Sequence, residues 1–104
     1  MAMMPESKIT AAIIRKLKTV PESFVMKLHG SMYQVAGLPD ILFLYSGIAF
    51  FIEVKTPGGR TTPIQQHMHR RLVNAGCQVQ VCTSVLEACR FVASAFEPLA
   101  KFLL

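Results

Sequence analysis

The sequence has no paired-cysteine motif. Its three cysteines, Cys77, Cys82 and Cys89, are an odd number, and no two of them form a C-x-x-C pair. They lie among apolar residues, so they are predicted to be buried small hydrophobic side chains in a reducing compartment. A disulfide framework is therefore not expected.

The chain also lacks a signal-peptide core and an apolar run of membrane length. Residues 1–8 contain no hydrophobic stretch. The apolar segment 91–104 is broken by Glu97, Pro98 and Lys101 and is too short to span a bilayer. With neither repeats nor low-complexity linkers, the 104 residues are expected to form one cytoplasmic, intracellular domain over 1–104, with no membrane partner.

Acidic residues are scarce as well. The chain has six acidic residues and 11 lysines and arginines, which gives a net charge of +5 at pH 7. A small intracellular domain with this balance favours a polyanionic partner such as nucleic acid. The same charge would also serve solubility alone, so it does not decide between the two roles.

Periodicity and turn signals predict the element order α-β-β-β-α-β-α. The first helix is predicted to begin with Pro5 as its first residue and to end before Pro21, and the last helix to run into Pro98. Strands are predicted over residues 24–28, 40–45, 48–55 and 78–83. The central two are nearly all apolar, which indicates burial on both faces. The order is that of an α/β fold with a mixed sheet flanked by helices.

Helix-capping signals and apolar stripes complete this prediction. Thr62 and Gln65 form one predicted capping box, and Ser84 and Glu87 form a second. Gly76 is expected to end the middle helix. The buried face of that helix is predicted to comprise Ile64, Met68, Leu72 and Ala75. The C-terminal stripe either closes the core or forms a twofold interface; it comprises Leu86, Phe91, Val92, Phe96, Leu99, Phe102 and Leu103.

The central strands also carry a cluster of charged residues. Asp40 opens one strand, and Glu53 and Lys55 lie near the end of the next. Residues i and i+2 of a strand share a face, so Glu53 and Lys55 project together. A hairpin turn at Ser46-Gly47 would bring Asp40 beside them. Two carboxylates and an ammonium at one end of a sheet indicate metal-dependent phosphodiester chemistry, since a hard cation held by carboxylates activates water and disperses charge. Standing alone, Glu53 and Lys55 would be an ordinary ion pair at a strand end.

These residues together resemble the VRR-NUC family of virus-type replication–repair nucleases, a branch of the PD-(D/E)xK superfamily. The resemblance rests on Glu6, Gly37-Leu38-Pro39-Asp40, the run from Glu53 to Gly59, and Thr62-Pro63-Ile64-Gln65, in family order. It implies a restriction-endonuclease-like αβββαβ core with an extra C-terminal helix. The short form would suit a phage or mobile-element gene of replication or repair.

The resemblance also implies a role for each matching residue. Asp40, Glu53 and the main-chain carbonyl of Val54 would bind Mg²⁺ or Mn²⁺. Lys55 would orient the attacking water and stabilise developing charge, and Glu6 would act on the metal directly or through a water. Gln65 matches the helix glutamine near the site. No small-molecule cofactor is implied.

Other residues are weaker candidates for contact with nucleic acid. His67 and His69 resemble a metal pair, but residues two apart on a helix point in nearly opposite directions, so a solvated or DNA-facing helix is favoured. Contacts with phosphate would give affinity without sequence information. The candidate contacts are Lys27, Ser31, Tyr33, Arg60, His67, Arg70 and Arg71.

The resemblance implies a metal-dependent DNA endonuclease. By analogy it acts on branched DNA such as a Holliday junction, as a homodimer that cuts two strands. Two alternatives stay open: a less selective nuclease acting on flaps, nicks or single strands, and a nucleic-acid-binding module without catalysis. The intact set of Asp40, Glu53, Lys55 and Glu6 argues against the binding module.

Overall fold

The computed structural model describes residues 4–28 and 35–104. The elements follow the predicted order, with a helical turn and a short helix added at the C-terminal end. They are α1 (Glu6–Leu17), β1 (Ser23–Lys27), β2 (Ile41–Tyr45), β3 (Ile48–Val54), α2 (Pro63–Asn74), β4 (Gln78–Cys82), α3 (Val85–Ala95), a 3₁₀ turn (Glu97–Leu99) and α4 (Ala100–Leu103).

The four described strands form one mixed sheet in the order β1-β2-β3-β4. The first three strands are antiparallel, while β4 runs parallel to β3 after the crossover through α2. The hairpin between β2 and β3 turns at Ser46 and Gly47, which both have positive φ values of 51° and 76°. A two-residue turn of this kind matches the twist of the strands, and it fixes the register that pairs Ile41 with Ile52.

One face of the sheet carries the hydrophobic core. Helices α1, α3 and α4 cover this face, and their apolar side chains pack against Ile41, Phe43, Phe50, Ile52 and Val54 of the two central strands. The rings of Phe50 and Phe91 meet edge to face at 5.8 Å between centroids. Cys82 and Cys89 are buried and Cys77 is partly buried, all three as free thiols.

The other face of the sheet is only partly covered, which corrects the prediction of central strands buried on both sides. Helix α2 lies over β3 and β4, whereas Leu44 on β2 stays 39% exposed. The predicted buried stripe of α2 is also wrong in part. Met68 is buried, but Ile64 and Ala75 are exposed and Leu72 is half-buried. The helix is amphipathic in sequence, yet the sheet covers only part of its apolar stripe.

The helix ends show how local sequence positions the elements. Helix α1 begins at Glu6, one residue later than predicted, with Pro5 as its N-cap. The capping box of Thr62 and Gln65 is present, whereas that of Ser84 is only half formed, because the Glu87 carboxylate accepts hydrogen bonds from Thr83 instead. Gly76 ends α2 with φ 98° as predicted.

The C-terminal segment closes the core within the chain. Phe91, Val92, Leu99 and Leu103 are buried, while Leu86 is 50% exposed. Helix α3 ends at Ala95 rather than at Pro98, and the 3₁₀ turn and α4 follow it. No helix in the described part of the chain is long and apolar enough to cross a membrane.

Candidate active site

Asp40 is held between the strands on both of its sides. Its backbone N–H donates to the Ile52 carbonyl at 3.0 Å, and its own carbonyl accepts from the Leu28 N–H at 2.8 Å. Its carboxylate oxygen Oδ2 accepts a hydrogen bond from the Val54 N–H at 2.6 Å. The start of β2 is thereby fastened to the end of β3, as the hairpin predicted. One carboxylate oxygen is bound to the backbone, which fixes the direction of the other.

Glu53 lies at the centre of the site. It is 2% exposed and projects from the face of the sheet opposite the core, while its neighbour Val54 is fully buried in the core. Its oxygen Oε2 lies 3.9 Å from Lys55 Nζ, and Gln65 Nε2 donates to the same oxygen over 3.5 Å. The other oxygen, Oε1, lies 3.4 Å from His69 Nε2. Strand β3 and helix α2 therefore both contact this one carboxyl group.

Burial and the second carboxyl group change the acidity of Glu53. Removal from water raises its pKa to about 8, helped by a hydrogen bond with Asp40 and by the charges of Asp40 and Glu6, against the lowering effect of Lys55. A hydrogen bond between two carboxyl groups requires a shared proton. Without a cation, Glu53 therefore holds a proton at neutral pH.

Gln65 connects the start of α2 to the acid pair. Its side-chain oxygen accepts from the Thr62 N–H at 2.9 Å, and its backbone N–H donates to Thr62 Oγ1 at 3.2 Å. The amide oxygen is thereby occupied in the capping box, which leaves the amide nitrogen directed at Glu53. The same residue starts the helix and orients the carboxyl group.

The comparisons with known proteins agree on one family. The sequence profile of the VRR-NUC domain matches residues 6–86. The chain belongs to the VRR-NUC family. A solved structure described as a VRR_NUC domain is similar with a TM-score of 0.73 and 25% identity over 88% of this chain and 97% of that one. A VRR_NUC domain protein is similar in fold, with a TM-score of 0.67 and 17% identity over 97% and 92% of the two chains. A search of curated proteins gives no match.

Membership of the VRR-NUC family makes the chain a nuclease domain of the PD-(D/E)xK type, and its mixed sheet with flanking helices agrees with that fold. Nucleases of this type generally use divalent metals, and their substrate is DNA. Asp40, Glu53 and Lys55, together with the strands β2 and β3 beside them, lie within the matched residues.

His69 is a contact of this VRR-NUC site that the sequence did not reveal. Burial lowers its pKa, and the charge of Lys55 acts in the same direction, so its ring is neutral at neutral pH. The sequence predicted that His67 and His69 point apart, and His67 is indeed exposed. The missing signal was the rotation of α2 about its axis, which decides which of the two histidines faces the sheet.

The oxygen donors of the site fit a hard divalent cation. In the described residues, no group of three or more histidine, cysteine, aspartate or glutamate side chains is close enough to hold a metal. The site instead has the Asp40 carboxyl group beside the buried Glu53, and a cation can replace the proton that Glu53 holds. Carboxylate and carbonyl oxygens suit Mg²⁺ or Mn²⁺. Asp40, Glu53 and the Val54 carbonyl are the residues that would hold it.

The remaining predicted residues surround this centre. Glu6 is exposed as the first residue of α1, near enough for its charge to raise the pKa of Glu53. Lys27 is exposed at the end of β1 and Arg60 in the loop before α2. His67, Arg70 and Arg71 lie on the exposed surface of α2. Ser31 and Tyr33 lie outside the described residues.

Proposed function

We propose that this VRR-NUC domain is a Mg²⁺- or Mn²⁺-dependent endonuclease that hydrolyses phosphodiester bonds in branched DNA. The observation that carries the proposal is the buried Glu53 carboxyl group, whose pKa is raised by burial and by Asp40 and which Lys55 and Gln65 contact. A buried acid with a raised pKa, such as Glu53, is costly for a fold unless it serves a purpose. Replacing the proton of Glu53 with a cation is that purpose.

The residues of the site divide the work of hydrolysis. Asp40, Glu53 and the Val54 carbonyl would hold the cation, which supplies Lewis-acid stabilisation of the phosphoryl oxygens and a more acidic water. The Lys55 ammonium orients the attacking water and stabilises charge that develops on the phosphate. Gln65 fixes the rotamer of Glu53, and Glu6 acts from α1 on the metal or through a water. The products would carry 5′-phosphate and 3′-hydroxyl ends.

The choice of substrate rests on family analogy and on charge. The site takes three of the six acids and one of the 11 cations, which leaves ten cations against three acids elsewhere. Such a surface favours duplex arms around the cleaved bond. The second candidate is a nuclease that cuts flaps, nicks or single strands with little selectivity, and the same site would serve it.

We further propose that one domain spans residues 1–104 and acts as a homodimer, so that two sites cut two strands. The uncovered half of the sheet face supports this proposal. Phe24 pairs with Leu44 and Met26 with Leu42 across β1 and β2. Phe24 is 54% exposed and Met26 40%. These four side chains are uncharged, so they suit a second copy of the chain better than a phosphate backbone.

The deciding experiment is cleavage of labelled four-way junction, flap, nicked, duplex and single-stranded DNA with Mg²⁺, Mn²⁺ or EDTA. Lys55→Ala and Asp40→Ala would serve as inactive variants, and Lys101→Ala as an exposed control. Paired, metal-dependent cuts in the junction that both site variants lose would support the proposal.

Two other outcomes would count against parts of it. Cutting of all substrates alike, still lost in the site variants, would keep the nuclease and remove the preference for branches. Binding of DNA without cleavage in any metal would instead favour a binding module.

A further inference from the structure

A groove of about 350 Å³ separates helix α1 from the edge strand β1. Residues of one face of α1 line it, at the spacing i, i+3, i+4, i+7, i+8 and i+11 that places side chains along one side of a helix. Lys27 of β1 lines the opposite side. The helical residues are Ser7, Thr10, Ala11, Ile14, Arg15 and Lys18.

The groove is positively charged. Arg15, Lys18 and Lys27 line it, and no acid does. All three are exposed, and within residues 4–28 and 35–104 the ion pairs involve only Glu53, so no acid neutralises them. A solvated helix face would show scattered cations, but here two elements direct three cations into one concave surface. A polyanion is the ligand that this arrangement fits.

One end of the groove adjoins the candidate active site. Ser7 follows Glu6 in α1, and Lys27 precedes Leu28, whose N–H donates to the carbonyl of Asp40 at 2.8 Å. A polyanion that occupies the groove can therefore be continuous with the strand at the site.

The length of the groove suits a segment of DNA backbone. From Ser7 to Lys18 the helix rises about 16 Å, at roughly 1.5 Å per residue. One strand of a duplex advances about 3.4 Å along the axis per phosphate, so the groove spans about four or five phosphates. Hydroxyl groups such as that of Ser7 also donate to phosphate oxygens, and such contacts carry no sequence information.

We propose that the groove between α1 and β1 binds the phosphate backbone of the duplex arm next to the cleaved bond, through Arg15, Lys18 and Lys27. This inference rests on the proposed nuclease function and adds to it the path of the DNA. Contact with the backbone alone suits an enzyme that selects a branched shape rather than a sequence.

The test compares two pairs of charge reversals. Arg15→Glu with Lys18→Glu changes the groove, whereas Arg90→Glu with Lys101→Glu makes the same change in charge at exposed residues of α3 and α4 outside it. Arg15→Gln with Lys18→Gln is a milder form that avoids acids at the end of α1. Thermal unfolding would show that all of them are folded.

Binding of a junction would be measured in EDTA over about 50 to 200 mM salt, the range in which phosphate contacts change affinity strongly. In the groove variant, the slope of log affinity against log salt should fall by about two, one for each lost phosphate contact. Affinity at low salt should fall about tenfold or more. The control pair should keep more of its affinity and more of its salt slope. The loss should disappear when the arm is shortened to about one or two base pairs, too short for the groove.

Cleavage separates this inference from the proposed function. With enzyme at saturation, the groove variant should cut at the wild-type rate, because the groove does not include Asp40, Glu53 or Lys55. Equal binding by the groove and control variants, or a loss that persists on the shortest arms, would overturn the inference even if the wild type cleaves. If the wild type bound but did not cleave, the proposed nuclease would fail, while a loss specific to the groove variant would still support DNA in the groove.

Discussion

The carboxyl group of Glu53 combines burial with a function that needs charge. In water its pKa would lie near 4.5, but burial and the neighbouring Asp40 raise it to about 8 in the folded protein. Between pH 4.5 and about 8, the folded chain therefore keeps a proton on Glu53 that the unfolded chain has released. A cation that replaces this proton turns an unfavourable buried charge into a ligand.

The first prediction concerns stability against pH in EDTA. Because the pKa of Glu53 is raised on folding, its contribution is complete below about pH 4.5 and is lost as pH rises through about 8. The lowered pKa of His69 has the opposite effect, but only below its ordinary value of 6.5. Between pH 6.5 and about 8, where only Glu53 acts, the free energy of unfolding should fall by up to about 1.4 kcal/mol per pH unit.

Urea unfolding at several pH values would measure this dependence. Glu53→Gln should remove most of the slope, since a neutral amide has no proton to release, and it should be more stable than wild type near pH 8. Glu97→Gln, at an exposed position, is the control. A slope unchanged in Glu53→Gln would contradict the assignment to Glu53. Added Mn²⁺ should offset the loss of stability at high pH only in the wild type.

The second prediction separates the two histidines of α2. His69→Ala removes the ring 3.4 Å from Glu53 Oε1, so it should lower metal affinity or kcat about 10- to 100-fold, as loss of a residue that orients a ligand does. His67→Ala changes an exposed neighbour on the same helix and should have little effect on either. Calorimetry with Mn²⁺ and single-turnover cleavage would measure both quantities. Equal effects of the two variants would remove His69 from the site.

Among the elements, the start of α2 has two tasks. Thr62→Ala breaks the capping box and should cost about 1 kcal/mol of stability. It should also lower the cleavage rate severalfold, because the Gln65 backbone N–H loses its acceptor Oγ1. The first turn that directs the Gln65 amide at Glu53 is then held only by the bond from the Thr62 N–H to Gln65 Oε1. Ser84→Ala removes the N-cap of α3 at a similar cost in stability but touches nothing in the site. Unfolding and cleavage would be measured on both variants. Slower cleavage in Thr62→Ala alone would tie activity to the α2 cap, whereas equal cleavage rates would mean that the cap affects only stability.

The loop before β2 contacts the same helix start. Gly37 and Gly58 share a φ of 84°, but a Cβ at Gly37 would lie 2.6 Å from the Ile64 carbonyl oxygen, whereas Gly58 has nothing within 4 Å. Gly58→Ala should cost about 1–2 kcal/mol through backbone strain alone. Gly37→Ala should cost about 1–3 kcal/mol more through the clash. It should also lower activity, since Gly37 lies three residues before Asp40. Equal losses of stability for the two variants in urea unfolding would mean that Ile64 moves aside at little cost.

The strands could be predicted from sequence in detail, while the packing of α2 could not. Side chains alternate strictly along a strand, so the spacing of Glu53 and Lys55 and the turn at Ser46-Gly47 were enough to place Asp40 beside Glu53. On a helix, an apolar stripe marks a face but not how much of that face is covered. The exposure of Ile64 and the contact of His69 depend on how α2 crosses the sheet, which long-range packing decides.

The molecule as a whole leaves an apolar surface over β1 and β2. If a second copy covers it, Phe24→Lys should convert a dimer into a monomer, because a buried ammonium without a partner is unfavourable. Leu86→Lys, at the exposed residue of the C-terminal stripe, should leave the dimer intact. Sedimentation at micromolar concentration would measure both. A dimer lost only in Leu86→Lys would move the interface to the C-terminal stripe, the place that the sequence had suggested.

The parallel pairing of β3 with β4 also bears on when the nuclease becomes active during synthesis. The ribosome releases Asp40, Glu53 and Lys55 on the antiparallel hairpin, whose contacts are local and form early. Helix α2 is anchored only after β4 has followed it and paired with β3. A nascent or prematurely terminated chain would therefore carry both acids without the helix that aims them. Cells that make such fragments would be spared an active nuclease until β4 has been synthesised.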